Sequence, residues 1–189
     1  MQHDWDSGQV SLDDLGLGNA YMLKPGQGEH SRANTGFRTL LARAVDTHED
    51  LSVMVSSGDE NAPTMPHFHR TTTEAMYVLS GVVRVWLDDQ NGTRMTLDVA
   101  AGEFAMLPRN WIHAWAFAAP NSSQIGMIAP GGFERIVDYL EPDGPTSIEK
   151  LRLSEEKIDV KWMPDYPLFE LCAEAEAQRT AGDGVSVGG

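Results

Sequence analysis

The stretch that decides the fold is His67-Phe-His-Arg-Thr-Thr-Thr-Glu74, and a further histidine follows it at His113. Successive residues of a β-strand point to opposite faces, so His67 and His69 project into the same space. Glu74 lies where the next strand is expected to begin, and His113 falls 39 residues later in another strand-like segment. A β-meander between these strands returns the chain to the same face, so the sequence predicts that the four side chains converge.

Three imidazoles and one carboxylate form a donor set for a divalent first-row transition metal. Neutral imidazole favours Zn, Cu, Fe and Ni, and a carboxylate admits harder ions such as Mn. Without an ion, burying these groups inside a barrel would leave polar atoms unpaired, which is unfavourable by several kcal/mol in total. A His-x-His pair alone is more typical of an exposed surface, but together with Glu74 and His113 it predicts one bound ion. Ni, Fe, Mn, Co, Cu and Zn remain the candidates.

Residues 51–130 carry the pattern of short strands separated by turn residues, which is typical of a β-sandwich or barrel. Within 82–88 apolar residues alternate with polar ones, which puts Arg84 and Asp88 on a solvent-exposed face. Asn91-Gly92 then predicts a tight hairpin. The predicted strands are 51–57, 74–79, 82–88, 94–99, 104–107, 111–117 and 124–129, and each is expected to have one buried and one solvent-exposed face.

The flanking segments have different patterns. Residues 1–50 are predicted to be an arm with a short strand or two, and within it 37–45 fits either a strand or a helix. Residues 131–180 are predicted to be a helical segment packed on the outside of the barrel, and 181–189 a disordered tail. The helices are expected at 133–140, after a capping box formed by Thr146 and Glu149, and at 166–178.

Composition limits the classes of partner. Fourteen Lys and Arg against 28 Asp and Glu give a net charge of −14, and no basic cluster is present, so nucleic acid and anionic membranes are disfavoured. The first six residues have no hydrophobic run, and no apolar stretch is long enough to span a bilayer. The single Cys172 excludes an intramolecular disulfide. A soluble cytoplasmic protein is therefore expected, with Cys172 packed in the core.

The two histidine-bearing stretches resemble the two motifs of the cupin superfamily. The first is His67–Glu74 followed by Gly81, and the second is Gly102-Glu-Phe-Ala-Met-Leu-Pro-Arg-Asn-Trp-Ile-His113. The resemblance implies a mainly β fold, the cupin double-stranded β-helix barrel or jelly roll, with a few peripheral C-terminal helices. It also implies that His67, His69, Glu74 and His113 bind the metal. The sequence departs from the motifs where Asn61 and Asn110 replace glycines and Phe117 replaces an asparagine.

A narrower resemblance is to single-domain quercetin 2,3-dioxygenases. It rests on the spacing between His69 and Glu74, on Pro108-Arg-Asn110, and on the stretch Ala129-Pro-Gly-Gly-Phe-Glu-Arg135 that leads into a helix. The resemblance implies a dioxygenase that opens the ring of a flavonol or a related enolic or aromatic substrate with O₂. In such an enzyme Glu74 is both metal ligand and general base. Small cupins also pair through barrel edges, so a homodimer is an open expectation.

A flat aromatic substrate would need an apolar pocket beside the metal. Strand parity with the metal ligands supplies candidates, although packing of the barrel interior is the commoner role for such residues. The predicted pocket residues are Met76, Val78, Phe104, Met106, Trp115, Phe117 and Phe133.

Two other functions remain open because the cupin fold does not decide the reaction. The first is a non-oxidative metalloenzyme, such as a lyase, isomerase or cyclase, acting on a small polyketide-like or phenolic substrate. The second is a non-enzymatic binding, storage or sensor domain. The presence of all four ligands argues against the second, because a pure binding protein does not need them.

Overall fold

Two antiparallel sheets form the body of the protein in the computed structural model, which describes residues 20–33, 36–139 and 146–183. One sheet has the strand order β1-β2-β3-β10-β5-β8 and the other β11-β4-β9-β6-β7. The strands are β1 Glu29–Ala33, β2 Gly36–Ala42, β3 Ser52–Gly58, β4 His67–Phe68, β5 Thr73–Ser80, β6 Val82–Asp88, β7 Arg94–Ala100, β8 Phe104–Leu107, β9 Ile112–Phe117, β10 Ser122–Ala129 and β11 Lys161–Trp162.

The main core lies between the two sheets, as the period-two pattern predicts. Val83, Val85 and Leu87 of β6 are buried there against Met76 and Val78 of β5. All strands predicted within 51–130 are present with bounds shifted by at most two residues, and β6 has the predicted bounds. The prediction of a mainly β cupin barrel is confirmed.

The helices only partly match their predictions. A 3-10 helix at Phe133–Asp138 takes the place of the longer helix expected at 133–140, and residue 140 lies outside the described residues. α1 spans Ile148–Glu155, and its N-cap is Ser147, whose side chain accepts a hydrogen bond from the Lys150 backbone. Thr146 therefore lies one residue before the cap it was expected to form.

The C-terminal helix covers the outer face of the second sheet. α2 spans Leu168–Asp183, so it starts two residues later and ends five residues later than expected. Leu168 and Cys172 pack against Ile112 and Ala114 of β9, so every residue of that strand is buried. The expectation of one solvent-exposed face is thus wrong for β9. It is also wrong for Asp88 of β6, which is fully buried.

Several predictions concern residues at the chain ends. Of the predicted N-terminal arm, residues 1–19 lie outside the described residues, as do 184–189 of the predicted tail. The prediction of a disordered tail is wrong for 181–183, which belong to α2. The ambiguous segment 37–45 contains β2, followed by a 3-10 helix at Ala44–Thr47. Neither helix of the described chain combines the length and the apolar character that crossing a membrane requires.

Candidate metal centre

The four predicted ligands come together between the two sheets. His67 on β4 pairs directly with His113 on β9 in one sheet. Glu74, near the start of β5, belongs to the other sheet, where it lies opposite Leu107 and Ile128. His69 follows immediately after β4, so the parity of the His-x-His pair turns both imidazoles inward.

The donor atoms of these four residues all lie within 4.8 Å of one another. His69 Nε2 is 3.1 Å from one Glu74 carboxylate oxygen, and His113 Nε2 is 3.7 Å from the other. All four residues are buried. The cluster therefore has the size and composition of a single-ion site.

The second nitrogen of each imidazole is held by a backbone carbonyl. Nδ1 of His67 lies 2.8 Å from the Met65 oxygen, and Nδ1 of His113 lies 3.0 Å from the Trp111 oxygen. Nδ1 of His69 contacts the Asp159 oxygen. A carbonyl can only accept, so each Nδ1 carries the hydrogen and each Nε2 presents its lone pair to the centre.

The charge states follow from burial and from the contacts within the cluster. Burial lowers the pKa of His113 to about 4 and, aided by the neighbouring histidines, lowers the pKa of His67 well below its ordinary value. Burial opposes ionisation of Glu74, but its contact with His69 outweighs this and lowers the Glu74 pKa to about 2. Burial likewise opposes protonation of His69, but Glu74 outweighs it and raises the His69 pKa.

These residues fit a divalent transition metal. The three Nε2 atoms and Glu74 Oε1 are inaccessible to solvent, and apart from the 3.1 Å approach of His69 Nε2 to Glu74 Oε1 they have no hydrogen-bond partner among the described residues. Four buried polar atoms left in that condition would be strongly unfavourable, and a cation at their centre would satisfy all of them. Three nitrogens and one oxygen suit several first-row ions, so the donor set does not select one.

The loop between His69 and Glu74 is held by Asp159, which sequence reasoning missed. Its carboxylate accepts hydrogen bonds from the backbone of Arg70, Thr71 and Thr72, at 3.0, 2.8 and 2.8 Å, and one of 2.6 Å from the Thr71 hydroxyl. Burial opposes ionisation, but these bonds prevail and hold the pKa of Asp159 well below its ordinary value. Asp159 carries no local motif, because it meets this loop only in the folded chain.

A cavity of about 370 Å³ opens onto the metal centre at His67 and Glu74. Its walls are largely apolar and aromatic. Phe133 stacks on the His67 ring with 5.7 Å between centroids, and the Trp162 ring is 4.8 Å from the same imidazole. The other lining side chains include Met54, Met65, Met76, Trp115, Met127, Ile128, Ile136, Leu151 and Phe169.

Three of the seven predicted pocket residues line this cavity, namely Met76, Trp115 and Phe133. Val78 and Phe117 are instead packed in the core between the sheets. Phe104 and Met106 are about half exposed, because Ala105 and Leu107 are the residues of β8 that face inward. Phe104 and Met106 were predicted because they lie on the strand of the second motif, and that position does not indicate which face of β8 points to the core.

The cavity also contains polar residues that sequence reasoning missed. Arg38 of β2, Ser56 of β3 and Gln124 of β10 all line it. Arg38 and Ser56 gave no signal because they lie in strands remote from both histidine-bearing stretches. Gln124 stands in a predicted strand among apolar residues, and a buried glutamine in such a position is the one signal that could have been used.

The departures from the motifs have structural explanations. The Asn61 side chain accepts a hydrogen bond of 3.1 Å from the Phe117 backbone, which ties the loop before β4 to the end of β9. Asn110 adopts a left-handed φ of 64°, a conformation that asparagine tolerates better than most residues. None of the three departures changes a predicted metal ligand.

Comparisons with known proteins agree with the fold. The cupin domain model matches residues 52–123. Over 76 residues the chain is 33% identical to quercetin 2,3-dioxygenase of Aspergillus japonicus, a match that covers 40% of this chain and only 22% of that protein. The chain thus corresponds to about a fifth of the length of this curated relative.

Solved structures share the architecture at low sequence identity. KdgF from Halomonas sp. has a TM-score of 0.50 and 20% identity, covering 61% of this chain and 98% of that one. A variant of oxalate decarboxylase from Bacillus subtilis has a TM-score of 0.50 and 19% identity, covering 56% and 28%. These likenesses establish the fold alone. The chain therefore has the cupin fold: residues 52–123 match the cupin domain, and part of its sequence is similar to quercetin 2,3-dioxygenase.

Proposed function

We propose that this protein is a metal-dependent dioxygenase of the quercetin dioxygenase type. Its substrate would be a flavonol or a related enolic aromatic compound, which it opens with O₂. The observation that carries the proposal is the cluster of three buried imidazoles and one carboxylate at the end of an apolar, aromatic-walled cavity. The partial identity to a quercetin 2,3-dioxygenase supports the choice of reaction.

In this proposal His67, His69, Glu74 and His113 hold one divalent ion, either Ni, Fe, Mn, Co, Cu or Zn. Such an ion supplies Lewis acidity that stabilises the enolate form of the substrate. The carbonyl acceptors on each Nδ1 keep the imidazoles in the tautomer that presents Nε2, so the donors need no rearrangement.

Glu74 would also accept the enol proton of the substrate. Its low pKa means that the carboxylate is ionised at neutral pH and therefore free to accept. A general base works best when its pKa lies near the working pH, and an ion that holds the enol oxygen would lower the pKa of the enol hydroxyl and so ease transfer of its proton to Glu74. Glu74 is one of the two cluster residues that line the cavity, so its side chain lies beside the space where the substrate would bind.

The cavity walls suit a flat aromatic ring. Phe133, Trp162 and Trp115 offer ring faces and edges, and Met54 and Met76 offer adaptable apolar surface. Closing apolar walls around the reacting carbon atoms would also exclude bulk water from the base.

The direct test is oxygen uptake by the metal-reconstituted protein with quercetin, under air and under nitrogen. We expect uptake under air, its loss after removal of the metal, and its loss in Glu74→Gln. Glu156→Gln changes an exposed glutamate of the same charge and is expected to keep the activity. Equal turnover under nitrogen would refute the oxygenase and favour the non-oxidative lyase, isomerase or cyclase, which would use the same donors on a polyketide-like or phenolic substrate.

Two further expectations accompany this function. A cytoplasmic location would follow from the single cysteine, which is buried and unpaired. A homodimer would follow from the resemblance to small cupins. Light scattering on the purified protein tests the second, since a monomer mass at micromolar concentration would contradict it.

A further inference from the structure

A row of three polar side chains crosses the cavity wall away from the metal centre. The strand register places Arg38 of β2 opposite Ser56 of β3, and Ser56 opposite Gln124 of β10. All three line the cavity, and Ser56 and Gln124 are each 3% exposed. We name Arg38, Ser56 and Gln124 the polar row.

The polar row and Glu74 lie at opposite ends of the same sheet face. Glu74 pairs with Ile128 of β10, and Gln124 precedes Ile128 by four residues, which corresponds to about 13 Å along the strand. Between them lies an apolar row that contains Met54, Gly126 and Met76. The cavity therefore offers a metal-facing end, an apolar middle and a polar far end.

The polar row offers both donors and an acceptor. Arg38 is the only Lys or Arg among the described residues that line the cavity. A guanidinium has five donor hydrogens and no acceptor, so Arg38 can only donate to a ligand in the cavity. Burial lowers the Arg38 pKa to about 10, so the group stays cationic at neutral pH.

Gln124 provides the acceptor. Its Oε1 atom is buried without a hydrogen-bond partner among the described residues. An unpaired buried acceptor is unfavourable, and a ligand that brings a donor hydrogen to it would remove the penalty. A carboxylate could pair with Arg38 but has no hydrogen to donate, so it would leave Gln124 unsatisfied. A hydroxyl can accept from Arg38 and donate to Gln124.

We propose that the polar row binds a phenolic hydroxyl on the end of the aromatic substrate remote from the oxygens that face the metal centre. This proposal depends on the proposed function in one respect, since it places the enolic end of the substrate at Glu74. A hydroxylated ring is thereby preferred over an unsubstituted ring of the same shape. Because the site is built to hydrogen-bond that hydroxyl, a substrate lacking it leaves both Arg38 and Gln124 without a ligand partner.

The test is anaerobic calorimetry on the full chain loaded with Zn²⁺, an ion without redox chemistry. The probes are unsubstituted flavonol, flavonol with one hydroxyl on the pendant phenyl ring, and flavonol with one hydroxyl on the fused benzene ring. One hydroxylated probe is expected to bind about tenfold more tightly than unsubstituted flavonol. Arg38→Met and Gln124→Leu should each bring its affinity close to that of the unsubstituted probe while leaving the latter nearly unchanged.

Arg84→Met is the matched control, because Arg84 forms an exposed ion pair with Asp98 away from the cavity. The control should keep the tenfold preference, and metal content should be equal in all four proteins. No binding of any probe, no preference in the wild type, or a preference that survives in both cavity variants would overturn the assignment. Tighter binding of a hydroxylated probe without oxygen uptake would refute the dioxygenase but would still support hydroxyl binding by the polar row. Failure of the proposed function can therefore be told apart from failure of this proposal.

Discussion

Each imidazole of the metal centre depends on what its other nitrogen contacts. His67 and His113 donate Nδ1–H to carbonyls only two residues away along the chain, at Met65 and Trp111. These contacts are local, so the strand geometry itself orients the two rings. His69 instead contacts a carbonyl of Asp159, which is distant in sequence. The orientation of this third ligand therefore depends on the tertiary fold.

Replacing His113 tests the metal centre at the scale of one residue. His113→Ala removes one of three nitrogen donors and is expected to reduce the bound metal from stoichiometric to a small fraction, as measured by elemental analysis after dialysis. His48→Asn is the control, because His48 is exposed and asparagine tolerates its left-handed φ of 55°. Equal metal content in the two variants would show that the cluster does not hold the ion.

The residue types of the centre were predictable, but their surroundings were not. His67 and His69 are two residues apart, so strand parity turns both inward, and Glu74 was predicted from its position at the start of the next strand. Arg38 and Gln124, by contrast, became neighbours of the site only through pairing of β2, β3 and β10. No local pattern encodes which distant strands pair, because pairing depends on burial of the whole sheet face.

At the scale of secondary-structure elements, the loop between β4 and β5 is held in place by a residue from a distant part of the chain. Asp159, just before β11, receives hydrogen bonds from three consecutive backbone amides of this loop. β11 itself pairs with β4, so the same segment holds both the strand that carries His67 and the loop that leads to Glu74. Asp159 is thus a positioning residue for the metal centre.

Asp159→Asn is expected to weaken metal binding by about 10- to 100-fold, the usual effect of losing an outer contact that orients ligands. The asparagine side chain keeps one acceptor oxygen. It lacks the negative charge with which the Asp159 carboxylate accepts hydrogen bonds from several backbone N–H groups at once. The measurement is a competition titration with a chelator of known affinity, together with the far-ultraviolet circular dichroism of the variant.

Asp165→Asn is the matched control, since Asp165 is exposed and is expected to leave metal affinity unchanged. A merely structural role for Asp159 would lower the unfolding temperature without changing the metal dissociation constant of the folded protein. That outcome would contradict the positioning role.

At the scale of the whole molecule, α2 and the segment before it close the outer face of the second sheet. Asp88 is buried beneath this segment and accepts a hydrogen bond of 2.7 Å from Tyr166 and one of 2.8 Å from Arg94. The carboxylate thereby connects the β6–β7 hairpin to the chain that leads into α2. This explains why a residue predicted to be exposed is fully buried.

The stability contributed by Asp88 should depend on pH. Burial opposes its ionisation, but the bonds from Arg94 and Tyr166 outweigh this and hold the Asp88 pKa below its ordinary value. A depressed pKa contributes stability above the unfolded value of about 3.9, and this contribution is lost as the pH falls through the folded value. Asp88→Asn should therefore lower the free energy of unfolding by about 1–3 kcal/mol at pH 7.

The measurement is urea unfolding of metal-free wild type and Asp88→Asn at about pH 7 and about pH 3, on either side of the unfolded pKa. The difference should shrink at the lower pH, because the unfolded wild-type chain takes up a proton at Asp88 more readily than the folded chain does, and this favours unfolding of the wild type. Asp50→Asn, at an exposed aspartate, should show little difference at either pH. A difference that grows in acid would contradict the sign of this linkage.

The reactivity of the Cys172 thiol shows whether α2 is packed on the second sheet. The thiol is buried, its Sγ donates to the Leu87 carbonyl at 3.5 Å, and burial raises its pKa. The native protein should therefore react with an aromatic disulfide reagent much more slowly than a free thiol does, and unfolding in guanidinium should expose one reactive thiol per chain. Native reaction as fast as that of glutathione would show that α2 does not cover the sheet.

The strand pattern and the four candidate ligands were predictable from the sequence, because period-two alternation and ligand spacing are local properties of the chain. The pattern left a sandwich or a barrel open, and the resemblance to the cupin motifs indicated the barrel. Tertiary packing alone determines that Asp159 holds the loop beside the ligands, that α2 buries the outer face of β9, and that Phe104 points outward while Arg38 faces the cavity. These features depend on which distant segments pack together. That packing is determined by the burial of apolar surface over the whole molecule and not by any local pattern.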